Sequence, residues 1–158
     1  MKRSVYNIIE EPVGDMYRDL VTFCSKHSTT MLLVVREPQM LANTALITIS
    51  ALEKIGASGA ESSEWPGTQL TRGGTACVYR IPVTRDSIDL VANTATSLYA
   101  WQSPALPEDL CFLRGDGEDI LASISHEEDA YLTLSDDEYT DFLKAPNLRL
   151  LNIQKVEE

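Results

Sequence analysis

Residues 110–134 carry the pattern that most restricts the fold, because apolar and polar side chains alternate there with a period of two. This period is typical of strands with one buried face. It predicts strands at 110–114, 119–125 and 129–134. Asp116 and Gly117 lie between the first two strands, and both residue types tolerate the left-handed conformation of a two-residue turn. We therefore predict a three-stranded antiparallel meander.

Helical spacing of apolar residues dominates the first two thirds of the chain. It predicts helices at 15–27, 40–55 and 86–101. Asp86 is a candidate N-cap for the third helix. Its apolar face comprises Ile88, Val91, Ala92, Ala95, Leu98 and Tyr99. We expect Ile88, Val91, Ala95 and Leu98 to be buried together.

Strands and turns are predicted between these helices. The continuous apolar run Met31–Val35 indicates a central strand, and residues 5–9 a shorter one. Residues 56–67 are rich in small and polar side chains and are predicted to be a loop. Arg72-Gly73-Gly74 favours a hairpin that joins 69–71 to 75–83.

The C-terminal part is predicted to contain one more helix and one more strand. Ser135 and Glu138 have the spacing of a capping box, which predicts a helix of about three turns. Residues 148–153 favour a final strand. The predicted fold class is therefore α+β, a single domain over 1–158 with a mainly antiparallel sheet packed by three to four helices.

Chain length and the distribution of apolar residues indicate one buried core and a cytoplasmic location. A chain of 158 residues with 44% hydrophobic side chains is long enough for one buried core. The apolar run at 31–35 is too short to cross a bilayer, so no membrane association is predicted. The N-terminus reaches Glu10 and Glu11 before any apolar region of signal-peptide length develops. We expect a cytoplasmic location.

Negative charge is concentrated in one region of the sequence. The formal net charge is −11. Residues 106–145 hold twelve acidic side chains and two basic ones, a formal charge of −10, so the remainder is nearly neutral. Such a field repels phosphate backbones and attracts basic molecules. We therefore expect no nucleic-acid binding and a basic protein partner.

No metal or cofactor motif is complete. Cys24 and His27 form a C-x-x-H pair, but a structural zinc site needs about four ligands, and only Cys77, Cys111 and His126 remain as further nitrogen or sulfur ligands. Asp116, Glu118 and Asp119 offer oxygen ligands without the glycine and glutamate of a calcium-binding EF-hand loop. We predict no cofactor and no metal.

Catalytic motifs are also absent. His126 is followed by Glu127 and Glu128, the only cluster of histidine with carboxylates in the sequence. The H-E-x-x-H pattern of a zinc protease fails because Ala130 is its fifth residue. We predict no catalytic residue and interpret 127–129 as a solvated turn after a strand. A small enzyme that uses His126 with nearby carboxylates remains the alternative.

The acidic turns are the candidate binding surface. In a meander, alternate connections lie at the same end of the sheet, so the 116–119 turn and the helix start at 136–138 should share one end. The 127–129 turn should lie at the opposite end. The predicted partner-binding residues are Asp116, Glu118, Asp119, Asp136, Asp137, Glu138, Glu127 and Glu128.

One segment resembles a known family. Residues 106–138 combine Pro107-Glu108-Asp109, Leu113-Arg114, Asp116-Gly117, Ser125-His126-Glu127 and Asp129-Ala130. This segment, about a fifth of the chain, resembles an uncharacterised family of small bacterial proteins, some of which carry a sporulation-stage label. The resemblance implies a bacterial origin and an interaction-type role, and it implies no catalytic residue.

These observations lead to one functional hypothesis with two alternatives. We expect an immunity or antitoxin-like inhibitor whose acidic surface covers a basic cognate toxin, such as a nuclease. The alternatives are the enzyme based on His126 and a regulatory binding module without a toxin partner.

Overall fold

The computed structural model describes residues 2–157, in which an eight-stranded sheet, a small hairpin and four α-helices are formed. The strands are β1 (Arg3–Ile8), β2 (Thr30–Val35), β3 (Ser58–Ser62), β4 (Glu64–Trp65), β5 (Thr68–Gln69), β6 (Ala76–Pro82), β7 (Glu108–Leu113), β8 (Asp119–Ile124), β9 (Asp129–Ser135) and β10 (Ile153–Lys155). The helices are α1 (Asp15–Lys26), α2 (Asn43–Lys54), α3 (Arg85–Thr94) and α4 (Asp136–Phe142).

The large sheet is antiparallel throughout, in the order β10-β1-β9-β8-β7-β2-β6-β3. The predicted meander is confirmed as β7-β8-β9. Strand β2 lies inside the sheet between β7 and β6, and its residues from Met31 to Val35 are all buried. The α+β fold class with a mainly antiparallel sheet is therefore confirmed.

The helices cover one face of this sheet. Tyr17, Leu20 and Val91 from helices pack with sheet residues in one large core. The sheet contributes Tyr6, Ile8, Met31, Leu33, Ile81, Leu110, Phe112, Ile120, Leu132 and Leu134 to this core. Within residues 2–157 no helix is long and apolar enough to cross a membrane.

The opposite face, which we call the open face, has a different cover. Its buried cluster contains Leu32, Val34, Val78, Cys111 and Leu113, together with Ala76 and Ala122. No helical residue belongs to this cluster, and Trp65 from the β4–β5 hairpin packs on it instead. The described part of the chain thus leaves this face only partly covered.

The third helix is shorter than predicted. Helix α3 ends at Thr94, and Ala95 is extended, so the predicted helix over 86–101 is wrong in its second half. Thr84, rather than Asp86, is the N-cap and forms a capping box with Ser87. The segment after α3 instead bonds to the chain before α1, because Gly14 N–H donates to the Thr96 carbonyl at 2.7 Å. These long-range bonds replace the next helical turns.

The predicted loop at 56–67 and the predicted hairpin around Arg72-Gly73-Gly74 are both wrong. Residues 58–62 form edge strand β3, which pairs with β6. The small side chains suit this strand, since a Cβ atom at Gly59 would lie 2.7 Å from Cys77 Sγ. Strand β5 pairs with β4 rather than with β6, so 72–74 is a connection and not a two-strand turn.

The C-terminal boundaries also differ. The capping box of Ser135 and Glu138 is confirmed, but α4 has seven residues, about two turns instead of three. Residues 148–150 form a short 3-10 helix, and the final strand begins only at Ile153.

Leu98 provides a test of the core between the sheet and the helices. Its side chain is fully buried, as are Val91 and Ala95, whereas Ile88 is only partly buried. Leu98→Ala should lower the free energy of unfolding by about 2–5 kcal/mol, because it removes buried methyl groups and leaves a cavity. Chemical denaturation measures this loss. The control Leu46→Ala, on a half-exposed side chain of α2, should change stability by less than about 0.5 kcal/mol; equal losses would contradict the burial of Leu98.

Candidate functional site

The β7–β8 turn forms the first part of the predicted acidic surface. Asp116 and Glu118 are exposed, and Gly117 between them has a φ of 91°. Both carboxylates contact the Arg3 guanidinium from the neighbouring end of β1. The Glu118 N–H and then Arg3 hold the pKa of Asp116 below its ordinary value. Part of the charge of this turn is therefore compensated within the protein.

Glu138 is a structural residue rather than a free surface acid. Its Oε1 accepts hydrogen bonds from Arg114 Nη2 at 2.6 Å and from the Ser135 N–H at 2.8 Å. Arg114 is buried and also donates to the carbonyls of Asp119 and Thr133. Burial raises the pKa of Glu138, but the bonds from Arg114 and Ser135 outweigh it, so the pKa lies below the ordinary value.

The remaining predicted acids divide between the two ends of the sheet. Arg3 pairs with Ser135 in the β1–β9 register, which places the start of α4 at the end that holds the β7–β8 turn. Asp136 and Asp137 are exposed there, and Asp119 is half-buried at the start of β8. Glu127 and Glu128 are exposed at the opposite end. The structure thus separates the eight predicted residues into two groups.

A cluster that the sequence did not predict lies near Glu127 and Glu128. It is centred on Asp109, which is fully buried at a φ of 60°. The register of β2 with β7 shifts at this point, where β7 contains an extra residue. Such a β-bulge redirects a side chain, and strained backbone of this kind is concentrated at functional sites.

The Asp109 carboxylate connects three segments. Its Oδ1 accepts a hydrogen bond from the Ser125 N–H at 2.9 Å, and its Oδ2 accepts one from Trp65 Nε1 at 3.1 Å. Arg36, at the end of β2, stacks over the Trp65 ring at 5.1 Å and approaches Asp109 Oδ2 to 3.7 Å. Asp109 therefore holds the hairpin, the end of β2 and the turn after β8 together.

Glu108 and His126 complete this group, which we call the Asp109 cluster. Glu108 is buried, and its Oε2 lies 3.6 Å from Arg36 Nε. One ligand atom from each of Glu108, Asp109 and His126 lies within 4.8 Å of the others. Burial, and next the charge of Asp109, raise the pKa of Glu108. The cluster combines two buried carboxylates with an exposed imidazole.

A groove on the open face is the second unpredicted feature. Its volume is about 410 Å³, and Leu32, Val78, Leu113 and Trp65 form its apolar floor and wall. Gly117, from the acidic β7–β8 turn, lines it as well. The remaining lining residues are Ala60, Ser62, Glu64, Pro66 and Arg80.

The cysteines and His27, which the sequence offers as candidate zinc ligands, have other surroundings in the structure. His27 lies between two carboxylates, with Nε2 3.2 Å from Asp141 and Nδ1 3.7 Å from Glu138. Burial raises the pKa of the Cys24 thiol, which keeps it protonated. Cys24, Cys77 and Cys111 are free thiols.

The Asp109 cluster was missed because its members are distant in sequence. Arg36, Trp65, Asp109 and His126 meet only after β2, β7, β8 and the hairpin have paired. One local signal was available, since Glu108 and Asp109 directly precede the apolar residues of a predicted interior strand. Charged residues rarely enter such a strand without a partner or a function.

Comparison with known proteins adds no identity. No family model matches the chain, and neither a curated protein nor a solved structure shows significant similarity to it. The resemblance of 106–138 to a bacterial family therefore stays a prediction.

The lowered pKa of Glu138 predicts a pH-dependent stability. An acid whose pKa falls on folding stabilises the protein above its ordinary pKa, and this contribution is lost as pH falls through the lowered value. Glu138→Gln keeps an acceptor for the Ser135 N–H but removes the charge beside Arg114. It should cost about 1–3 kcal/mol at pH 7, measured by chemical denaturation.

The difference in the free energy of unfolding between Glu138→Gln and the unmodified protein should become smaller as pH falls below 4.5, the ordinary pKa of glutamate. Asp137→Asn, an exposed neighbour in the same helical turn, is the control and should cost at most about 1 kcal/mol. A loss from Glu138→Gln that is the same at pH 7 and pH 3 would contradict the ion pair.

Proposed function

We propose that this protein binds a basic protein partner in the bacterial cytoplasm, as an immunity or antitoxin-like inhibitor of a cognate toxin. The partner class we favour is a nuclease, because a surface that binds nucleic-acid phosphates is basic. The observation that carries the proposal is the open-face groove, which has an apolar floor and is bordered on one side by the acidic β7–β8 turn.

The groove has the anatomy of a protein interface. Stable interfaces combine a desolvated apolar centre with a polar rim. Leu32, Val78 and Leu113 supply the apolar centre, and the indole of Trp65 supplies an aromatic side chain of the kind enriched at binding hot spots. Glu64, Arg80 and the β7–β8 turn provide a polar rim around it, which contains acidic side chains and one basic side chain.

Strand β3 adds a second recognition element next to the groove. It is the last strand of the sheet, and within residues 2–157 no strand pairs with its outer edge. Residues 58–61 are all exposed. An extended segment of a partner can pair with such an edge through backbone hydrogen bonds, while its side chains enter the adjacent groove. Ala60 and Ser62 contribute to both features.

The exposed negative charge of the surface supports a positively charged partner. Asp136 and Asp137 are exposed beside the β7–β8 turn, and no side chain within residues 2–157 forms an ion pair with them. Complementary charge accelerates association more than it strengthens the final complex. The acids are therefore expected to set the rate of binding, and the groove its lifetime.

The test compares one surface variant with a matched control. The chain is co-expressed with its neighbouring reading frame, and the product that co-purifies is used for binding kinetics. Asp136→Asn with Asp137→Asn should slow association by about threefold to tenfold at low salt, and the difference should vanish at high salt. The control, Asp86→Asn with Asp89→Asn, removes the same charge from α3, which lies on the sheet face opposite the groove. It should leave the association rate unchanged.

Ala60→Arg tests the groove separately. This side chain is exposed on β3, so the substitution fills the groove without removing a core contact. It should increase dissociation about tenfold or more, measured by the same kinetics. Equal effects of the two charge variants, an acidic partner, or unchanged dissociation of Ala60→Arg would refute this interface.

A further inference from the structure

We propose that Glu108, Asp109 and His126 form a binding site for a divalent transition-metal ion of the Zn²⁺ class. The site lies at the end of the sheet opposite the β7–β8 turn. It is independent of the partner-binding proposal, because its ligands come from the Asp109 cluster and not from the groove lining.

The three side chains are close enough for chelation. Their ligand atoms lie within 4.8 Å of one another. Tetrahedral coordination with metal–ligand bonds of about 2.1 Å requires ligand atoms about 3.4 Å apart. The remaining movement is small for the exposed His126 and for the long side chain of Glu108. Asp109 is held in place and provides the fixed point of the site.

Asp109 already has the support that a metal ligand needs. Carboxylates that ligate metals are usually oriented by hydrogen bonds from an outer shell of residues. Here the Ser125 N–H and the Trp65 indole N–H each donate to one oxygen of Asp109. Each oxygen retains a further lone pair for a cation, since a carboxylate offers about four acceptor positions.

Glu108 brings a second carboxylate to a space that a cation can enter. Its side chain is 8% exposed, and its Oε2 lies 3.6 Å from Arg36 Nε. It lines a cavity of about 260 Å³ together with His126 and Arg36. This cavity gives a metal ion access to the carboxylate of Glu108 and to the imidazole of His126.

Arg36 compensates the two carboxylates incompletely. Its 3.6 and 3.7 Å contacts with Glu108 and Asp109 are longer than the 2.7–2.9 Å of charge-assisted hydrogen bonds. Its Nε is buried without a hydrogen-bond partner in the described chain. A second cavity, of about 280 Å³, is also lined by Arg36 and His126. The guanidinium therefore has space to move aside when a divalent cation arrives.

The donor set selects the kind of metal. Imidazole favours first-row transition metals, whereas Mg²⁺ prefers oxygen ligands and retains its water. Three protein ligands leave one coordination position open, as in catalytic zinc sites. We therefore expect Zn²⁺ and Co²⁺ to bind and Mg²⁺ to be excluded.

His27 provides an internal control. It also lies beside two carboxylates, but Asp141 contacts Nε2 and Glu138 contacts Nδ1. Because the two nitrogens lie on different sides of the ring, these acids do not converge on one point with the imidazole. The sequence contains only two histidines, so His126 and His27 form a matched pair.

The experiment is calorimetric titration of the purified chain with Zn²⁺, with Co²⁺ absorption in the visible range to report coordination by protein ligands. One Zn²⁺ should bind per chain. His126→Ala should weaken binding about tenfold or more, and Glu108→Gln similarly. His27→Ala should have no effect. Trp65 fluorescence should be quenched by Co²⁺, since its indole bonds to a ligand.

Arg36→Gln distinguishes a metal site from a structural ion pair. Removal of the competing cation should tighten Zn²⁺ binding roughly tenfold. His126 is exposed, so His126→Ala keeps the test valid even if Glu108→Gln does not fold. Equal weakening by His27→Ala and His126→Ala, tight binding of Mg²⁺, or no Zn²⁺ binding by either the unmodified chain or Arg36→Gln would overturn the proposal.

Discussion

The buried carboxylate of Asp109 is the interaction on which the arrangement of the open face depends. Asp109 lies at a φ of 60° within an interior strand, where the left-handed conformation interrupts the regular register, and its carboxylate is removed from water at a cost in free energy. Two hydrogen bonds and the nearby Arg36 offset this cost. Through Trp65 the same carboxylate positions the β4–β5 hairpin, which covers part of this face together with Leu70.

Trp65 links the groove to the Asp109 cluster. The Trp65 side chain forms part of the apolar wall of the groove. Its indole N–H donates a hydrogen bond to Asp109, and its ring stacks with the Arg36 guanidinium. A change in the position of Arg36 therefore alters the contacts of a side chain that also lines the groove. The two proposed sites are separate in their ligands but share this one residue, so occupation of one site is expected to be sensed at the other.

Local patterns predicted the elements whose determinants are local. The alternation in 110–134, the Asp116-Gly117 turn and the Ser135–Glu138 capping box each act within a few residues, and each is present in the structure. Helix α3 fails after Thr94 because residues 96–98 bond to residues 12–14, a choice that involves distant parts of the chain. The sequence predicts a loop at strand β3 because its residues are small and polar. They suit an edge strand only because the side chains of Cys77 and Tyr79 leave little space beside Gly59. The Asp109 cluster has the same origin, since no local pattern brings positions 36, 65, 109 and 126 together.

The distribution of charge changes the meaning of the acidic sequence. The sequence groups Asp116, Glu118 and Glu138 with the other acids. In the structure, Arg3 partly compensates the first two, and Arg114 pairs with Glu138, which closes the first turn of α4. These three residues maintain the structure of their end of the sheet. The exposed acids at that end that form no ion pair within residues 2–157 are consequently Asp136 and Asp137, while Glu127 and Glu128 lie at the other end. Because two exposed charges are strongly screened at physiological salt, attraction alone does not hold a complex together. In the proposed complex, the apolar floor of the groove therefore supplies most of the affinity, and the acids chiefly set the rate of association.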